Sequence, residues 1–117
     1  MIGAPVCLAP TGDVCGEGAV WHAAHNAVYW TDINRFLVHR LTLADSSVRT
    51  WFFDEPVTAL SLTDRDDVLV VVLGSCAILW EPATDLRHAP FFKLAAWPTV
   101  RLNDARCDPR GSLWIGS

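Results

Sequence analysis

The sequence has no apolar stretch long enough to cross a bilayer. Its longest uninterrupted run, 68–73, is far short of the roughly 20 residues that a spanning helix needs. The first residues, Met1-Ile2-Gly3-Ala4-Pro5-Val6, carry no basic flank and no apolar segment of signal-peptide length. These two absences predict a soluble, cytoplasmic protein with no membrane partner. Positive charge is also scarce. Nine Lys and Arg stand against 13 Asp and Glu, giving a net charge of −4 and a pI near 5.4. A nucleic-acid binder would carry a basic patch, so nucleic acid is not an expected partner. No block of like charges suggests a tail or a membrane-surface helix. The four cysteines, Cys7, Cys15, Cys76 and Cys107, form no Cys-x-x-Cys pair and match no zinc-site spacing. Buried reduced thiols account for them, with a Cys7–Cys15 disulfide as the alternative. Helical periodicity is missing too, because Asp, Asn, Gly or Pro interrupts the chain every few residues.

What remains is apolar and β-forming. Hydrophobic residues make up 51% of the 117 and the mean hydropathy is +0.25, so one packed domain is within reach and disorder is not. Short segments rich in Val, Leu, Trp and Phe and bounded by turn residues predict strands at 27–33, 37–43, 48–53, 57–62, 68–73, 76–81, 89–94 and 113–117. Asn26-Ala27-Val28-Tyr29-Trp30, Asp66-Asp67-Val68-Leu69-Val70 and Gly111-Ser112-Leu113-Trp114-Ile115 share one form, a polar turn feeding an apolar strand. Their anchors Val28, Val68 and Leu113 lie 40 and 45 residues apart (68 − 28 and 113 − 68). That period, with about four short strands per unit, fits β-propeller blades. A β-sandwich also uses short strands with frequent turns and stays open as the other all-β solution. The third unit begins at 113 and has no partner hairpin after it, so the chain is expected to be a C-terminally truncated piece of a larger domain.

Two polar segments interrupt the strand pattern. In Gly16-Glu17-Gly18-Ala19-Val20-Trp21 an acid sits between two glycines, which permit unusual backbone angles and close approach. Glu17 is either a surface turn acid or an inward carboxylate, and an inward one would need a hard cation or similar partner. In Arg101-Leu102-Asn103-Asp104, Arg101 and Asn103 share a face if the chain is extended. A guanidinium fork beside an amide suits a ligand rich in hydroxyl or carboxylate oxygens. Asp104 would point away and hold a turn. Asp108-Pro109-Arg110-Gly111 reads as a β-turn with Pro second and Gly fourth.

Taken together and in this order, these segments resemble the regucalcin/gluconolactonase/luciferin-regenerating-enzyme family. The resemblance runs through Gly16-Glu17-Gly18, Val20-Trp21, Tyr29-Trp30-Thr31-Asp32-Ile33, His39-Arg40, Pro56-Val57 and Arg101-Leu102-Asn103-Asp104. It ends in Asp108-Pro109-Arg110-Gly111-Ser112-Leu113-Trp114-Ile115-Gly116. The resemblance implies an all-β, six-bladed propeller with a metal in its central channel. Residues 1–117 would be the N-terminal part of that single domain, about two blades and the start of a third. It implies Glu17 as a metal ligand and Arg101 and Asn103 as contacts to a sugar-like substrate. The implied cofactor is one divalent ion, Ca²⁺ or Zn²⁺. The other metal ligands, an Asn and an Asp, would lie beyond Ser117, and that Asp would also be the general base, so no catalytic residue is expected within the chain.

The implied function is metal-dependent hydrolysis of a sugar lactone by the full-length parent, with the 117 residues alone inactive. The alternative is a non-catalytic propeller that binds Ca²⁺, a small ligand or a protein partner. Two positions depart from the family pattern. Ala19 replaces a common proline. Ala105 replaces a glycine usual after Asn-Asp, and would strain the loop aiming Asn103 if that position has a positive φ. Asp32 reads as a hairpin cap, and His22, His25, His39 and His88 as residues without a ligand role. The six tryptophans and Phe91-Phe92 read as packing.

Overall fold

The computed structural model describes residues 3–117, so Met1 and Ile2, and with them the start of the N-terminal segment, lie outside the described residues. Eleven strands and, among the described residues, no helix make up the chain. Strands β1 (Gly16–His22), β2 (Ala27–Asp32), β3 (Leu37–Thr42) and β4 (Ser47–Phe52) form one antiparallel sheet in the order β1-β2-β3-β4. The β2–β3 ladder pairs Ala27 with Thr42 through Asp32 with Leu37, and β3–β4 pairs Leu37 with Phe52 through Thr42 with Ser47. Strands β5 (Val57–Leu62), β6 (Leu69–Leu73), β7 (Cys76–Glu81) and β8 (Leu86–Arg87) repeat the plan, and β9 (Phe92–Lys93) also pairs with β7. A third unit consists of the hairpin β10 (Ala105–Cys107) and β11 (Leu113–Ile115).

Consecutive antiparallel strands joined by tight turns give each sheet its order. Asn26, Phe36 and Ser46 close the turns of the first sheet with φ of 48°, 61° and 57°, and Asp85 closes the β7–β8 turn at 58°. A left-handed fourth residue lets a short loop match the twist of its flanking strands. Ser46 is exposed and, as an L residue, is strained there. Ser46→Gly is therefore expected to raise stability by about 0.5–1 kcal/mol. The check is the urea midpoint, and an unchanged or lower midpoint would count against the strain.

The repeat anchors Val28, Val68 and Leu113 fall at the second strand of each unit. The fourth strand of the first sheet therefore precedes 27 rather than following 53. The segment Gly16–His22 was not expected as a strand because its glycines mask it, and the ladder itself is interrupted between Glu17 and Val20. The predicted strand at 89–94 is corrected. The turn after β7 places Leu86 and Arg87 opposite Glu81 and Trp80, leaving only Phe92 and Lys93 of the predicted span in the ladder.

The two sheets pack face to face through one core of Tyr29, Val38, Trp51, Phe53, Val57, Leu60, Leu69, Val71, Ile78 and Trp80. Trp80 is fully buried, with Trp51 edge-on at 4.9 Å, Phe53 at 5.6 Å and Tyr29 at 6.4 Å. A second core of Ala59, Val70, Val72, Ala77, Leu102 and Ala105 joins the second sheet to the third unit. Packing of all six tryptophans is not what the structure shows. Trp51 and Trp80 are buried, whereas Trp21, Trp97 and Trp114 are exposed, and so are Phe91 and Phe92. All four cysteines are free, and only Cys76 is buried.

Candidate functional site

Each unit opens with the strand nearest its neighbours, and β5 packs between β1 and β10. A Cβ added at Gly18 of β1 would lie 3.9 Å from the Ala59 backbone of β5. Ser61 Oγ of β5 meets Cys107 Sγ of β10 at 3.0 Å. Gly18 and Ala59 each stand two residues into their strands, and Leu102 N donates to the Gly74 carbonyl while Gly74 N donates to the Pro56 carbonyl, so the start of β1 and the 101–104 segment both lie beside the start of β5. Glu17 stands at the start of β1, and Arg101 to Asp104 lead into β10.

Glu17 is exposed, and its carboxylate enters no hydrogen bond or ion pair among the described residues. Its backbone is fixed by pairing with Thr31 and by Thr31 Oγ1, which donates to the Glu17 carbonyl at 3.3 Å. Gly18 has φ of +65° where the ladder breaks, a conformation that disfavours any residue with a Cβ. Gly18 thus serves the bulge that follows Glu17, where Gly18 and Ala19 leave the ladder before it resumes at Val20.

Arg101 and Asn103 are both exposed and flank the buried Leu102, which places their side chains on one face as their spacing predicts. Arg101 Nη1 donates to Asn103 Oδ1 at 3.3 Å and to the Leu102 carbonyl at 3.2 Å. The backbone beneath them is tied down on both sides. Leu102 N donates to the Gly74 carbonyl at 2.9 Å and Asn103 N to the Gly116 carbonyl at 2.8 Å. Because Asn103 Oδ1 is taken by arginine, its Nδ2 hydrogens are left to donate outward beside the remaining guanidinium N–H groups. The pair therefore presents donors to oxygen acceptors.

Arg101 and Asn103 are brought together; Glu17 also lies beside the start of β5 but shares no hydrogen bond with them. Among the described residues no group of three or more His, Cys, Asp or Glu could hold a metal. An apolar groove of about 630 Å³ lies at the seam between β9 and the β10–β11 hairpin, walled by Phe91, Phe92, Leu102, Leu113 and Trp114. It contains none of these polar side chains and touches the site only through Leu102.

Several expectations are settled by this geometry. Ala105 is a buried β10 residue without a positive φ, so it does not strain the Asn103 loop. Asp104 Oδ1 accepts from Ala105 N at 2.8 Å, holding the turn as expected. The 108–111 turn closes with Gly111 N donating to the Asp108 carbonyl at 3.0 Å. Asp32 does more than cap a hairpin. It is fully buried and accepts from Val14 N at 2.9 Å and Cys15 N at 3.1 Å. Burial pushes its carboxyl pKa up, but those two amides and Arg35 outweigh burial and hold it below the usual value. His39 and His88 are held by hydrogen bonds within the protein, to Asp13 and Thr50 for the first and to Glu81 for the second. His22 and His25 stack at 3.6 Å near the opposite end, away from Glu17.

The chain superposes on a calcium-binding protein, regucalcin, from Agrobacterium tumefaciens with a TM-score of 0.82 and 26% identity, covering 92% of this chain and 36% of that one. It matches the fold of a luciferin-regenerating enzyme with a TM-score of 0.75 and 21% identity, over 88% of this chain and 36% of that one. Successive antiparallel sheets, alike in fold to those solved proteins, define a propeller-type all-β protein. The family profile described as SMP-30/Gluconolactonase/LRE-like region matches residues 15–117, and the chain belongs to that family. Its relatives include an L-arabinolactonase from Azospirillum brasilense, 35% identical over 97% of this chain. A 6-deoxy-6-sulfogluconolactonase from Pseudomonas putida is 30% identical over 95% of it. This chain spans 38% of the length of each of those relatives.

Proposed function

We propose that residues 1–117 are the N-terminal part of a six-bladed propeller that hydrolyses a sugar lactone with the help of one divalent cation, Ca²⁺ or Zn²⁺. The observation that carries the reading is the placement of Glu17. An exposed carboxylate without a partner among the described residues stands beside the start of β5, as does an Arg–Asn donor pair, in a chain whose relatives carry lactonase names. The carboxylate oxygens of Glu17 fit a hard cation. They supply one corner of its coordination, and the remaining ligands belong to later blades.

When bound, the ion would supply Lewis acidity toward an ester carbonyl. The chain's own contribution is orientation. Arg101 and the Asn103 amide donate to the hydroxyl or carbonyl oxygens of the lactone ring and hold it in one pose for attack. With Arg101 donating to Asn103 Oδ1, the Asn103 N–H groups are left to donate toward substrate. The general base is assigned to a carboxylate beyond Ser117.

The calcium-binding regucalcin structure favours a second reading, a propeller that binds Ca²⁺ without catalysis. One experiment separates the two. The complete protein is assayed with sugar lactones such as gluconolactone, before and after EDTA, as wild type and as Glu17→Gln. Hydrolysis should fall to background on chelation, return with added Ca²⁺ or Zn²⁺, and be lost in the variant. Calcium binding without any hydrolysis would select the second reading, and hydrolysis that survives both treatments would remove the metal role of Glu17. The 117 residues alone are expected to be inactive, since they hold one ligand and no general base.

A further inference from the structure

Among the described residues the Glu17 carboxylate has no side-chain partner, so its backbone sets where the side chain starts from, and that backbone is braced from outside the ladder. Asp13 precedes β1 and is nearly buried. Its Oδ2 accepts from Trp30 Nε1 at 2.8 Å and its Oδ1 from His39 Nε2 at 2.9 Å. The other ring nitrogen, His39 Nδ1, meets Thr50 Oγ1 at 2.7 Å. A carboxylate only accepts, so His39 carries its hydrogen on Nε2 and, in the neutral ring, takes the Thr50 hydroxyl hydrogen at Nδ1. The His39 ring is 4% exposed and lies 5.2 Å from the Trp30 ring. One residue from each of β2, β3 and β4 thus converges on Asp13.

Asp13 in turn presses on the residue before Glu17. A Cβ added at Gly16 would meet Asp13 Oδ2 at 3.1 Å and Asp13 Cβ at 3.3 Å, so any side chain there would have to push Asp13 aside by a few tenths of an ångström. Gly16 pairs with Asp32 at the end of the ladder and, lacking a Cβ, would rotate more freely there than any other residue. A metal ligand must be placed within about 0.2 Å of its coordination distance. Small rotations at Gly16 exceed that limit at the end of a glutamate side chain.

We propose that the Thr50–His39–Asp13 hydrogen-bond chain, completed by Trp30, positions Glu17 by locking Gly16, and that Asp13 and His39 are positioning residues for the cation. The inference rests on the reading of Glu17 as a metal ligand. Partners of this indirect kind typically change metal affinity by roughly 10–100-fold when lost.

The test is calorimetric titration of the complete protein with Ca²⁺ and with Zn²⁺, alongside thermal midpoints. Asp13→Ala and His39→Phe should weaken binding by about 10–100-fold, whereas His39→Gln, whose amide can still donate to Asp13, should recover most of the affinity. Trp80→Phe, a core change near the opposite end of the sheets, should lower the thermal midpoint and leave the Kd unchanged. Thr50→Val removes only the far link and should weaken binding by a smaller factor, which keeps the question answerable if His39→Phe does not fold. Wild-type Kd in the Asp13 and His39 variants, or an equal loss in Trp80→Phe, would overturn the positioning role while leaving Glu17 as a ligand. An unchanged Kd in Glu17→Gln would instead overturn the ligand assignment, and the positioning role with it.

Discussion

Trp80→Ala is expected to destabilise the protein by about 3–5 kcal/mol, most of the stability a domain of this size ordinarily has. Trp80 is the contact through which the two sheets hold each other. Its ring meets Trp51, Phe53 and Tyr29 of the first sheet and its margin edge-on, an arrangement favoured by the charge distribution of aromatic rings. Its indole N–H donates to Asp85 Oδ1 at 2.8 Å, and Arg87 holds the same carboxylate while donating to the Phe52 carbonyl at 2.8 Å. The Arg87 guanidinium also lies 3.9 Å from the centre of the Phe53 ring. Alanine would remove the side chain on which these contacts converge and leave a cavity that the flanking strands are too rigid to fill. Trp80→Phe keeps a ring and loses the hydrogen bond, so its loss should be about 1–2 kcal/mol. Urea unfolding followed by far-ultraviolet circular dichroism measures both. An alanine variant within 1 kcal/mol of wild type would mean that the sheets are held together elsewhere.

Asp32→Ala is expected to rank next, at about 3 kcal/mol or more, because it empties a fully buried site and leaves the half-buried amides of Val14 and Cys15 without their acceptor. The loss should depend on pH in a definite direction. The folded-state pKa of Asp32 is held below its unfolded value, so ionised Asp32 contributes fully above about pH 4. That contribution disappears as the pH falls through the lowered folded value. The stability gap between wild type and Asp32→Asn should therefore be widest near neutrality and narrow below about pH 4. Urea midpoints measured from pH 7 down to pH 3 read this directly, and a gap that stays constant across the range would assign the effect to packing.

The sequence made some of this plain and hid the rest for physical reasons. Strands β2, β3, β5, β6 and β7 are apolar runs between turn residues, and they stand close to where composition places them. Strand β1 was missed because Gly16 and Gly18 look like a loop, whereas here they allow a bulge at Glu17 and room for Asp13. Phe91 and Phe92 drew the predicted strand too late. The turn ending at Asp85 sets the ladder earlier, and a local hydrophobic count does not register a turn's backbone angle. Glu17, Arg101 and Asn103 were found through resemblance, since each taken alone could be a surface residue. Asp13 and His39 were not found, because their bond spans 26 residues and leaves no local pattern.

The serial order of the strands, each beside the next in the chain, also bears on how the protein is made. The loops to be closed between successive strands are short, so their entropy cost is small and a sheet can assemble hairpin by hairpin. Emerging from a ribosome at roughly 5–20 residues per second, β1 to β4 would have time to pair before β5 is synthesised, hairpins forming in microseconds. The nascent sheet would then wait with Tyr29, Trp51 and Phe53 uncovered until Trp80 arrives. That interval is when the chain is most exposed to aggregation, and a chaperone would have the most to protect there.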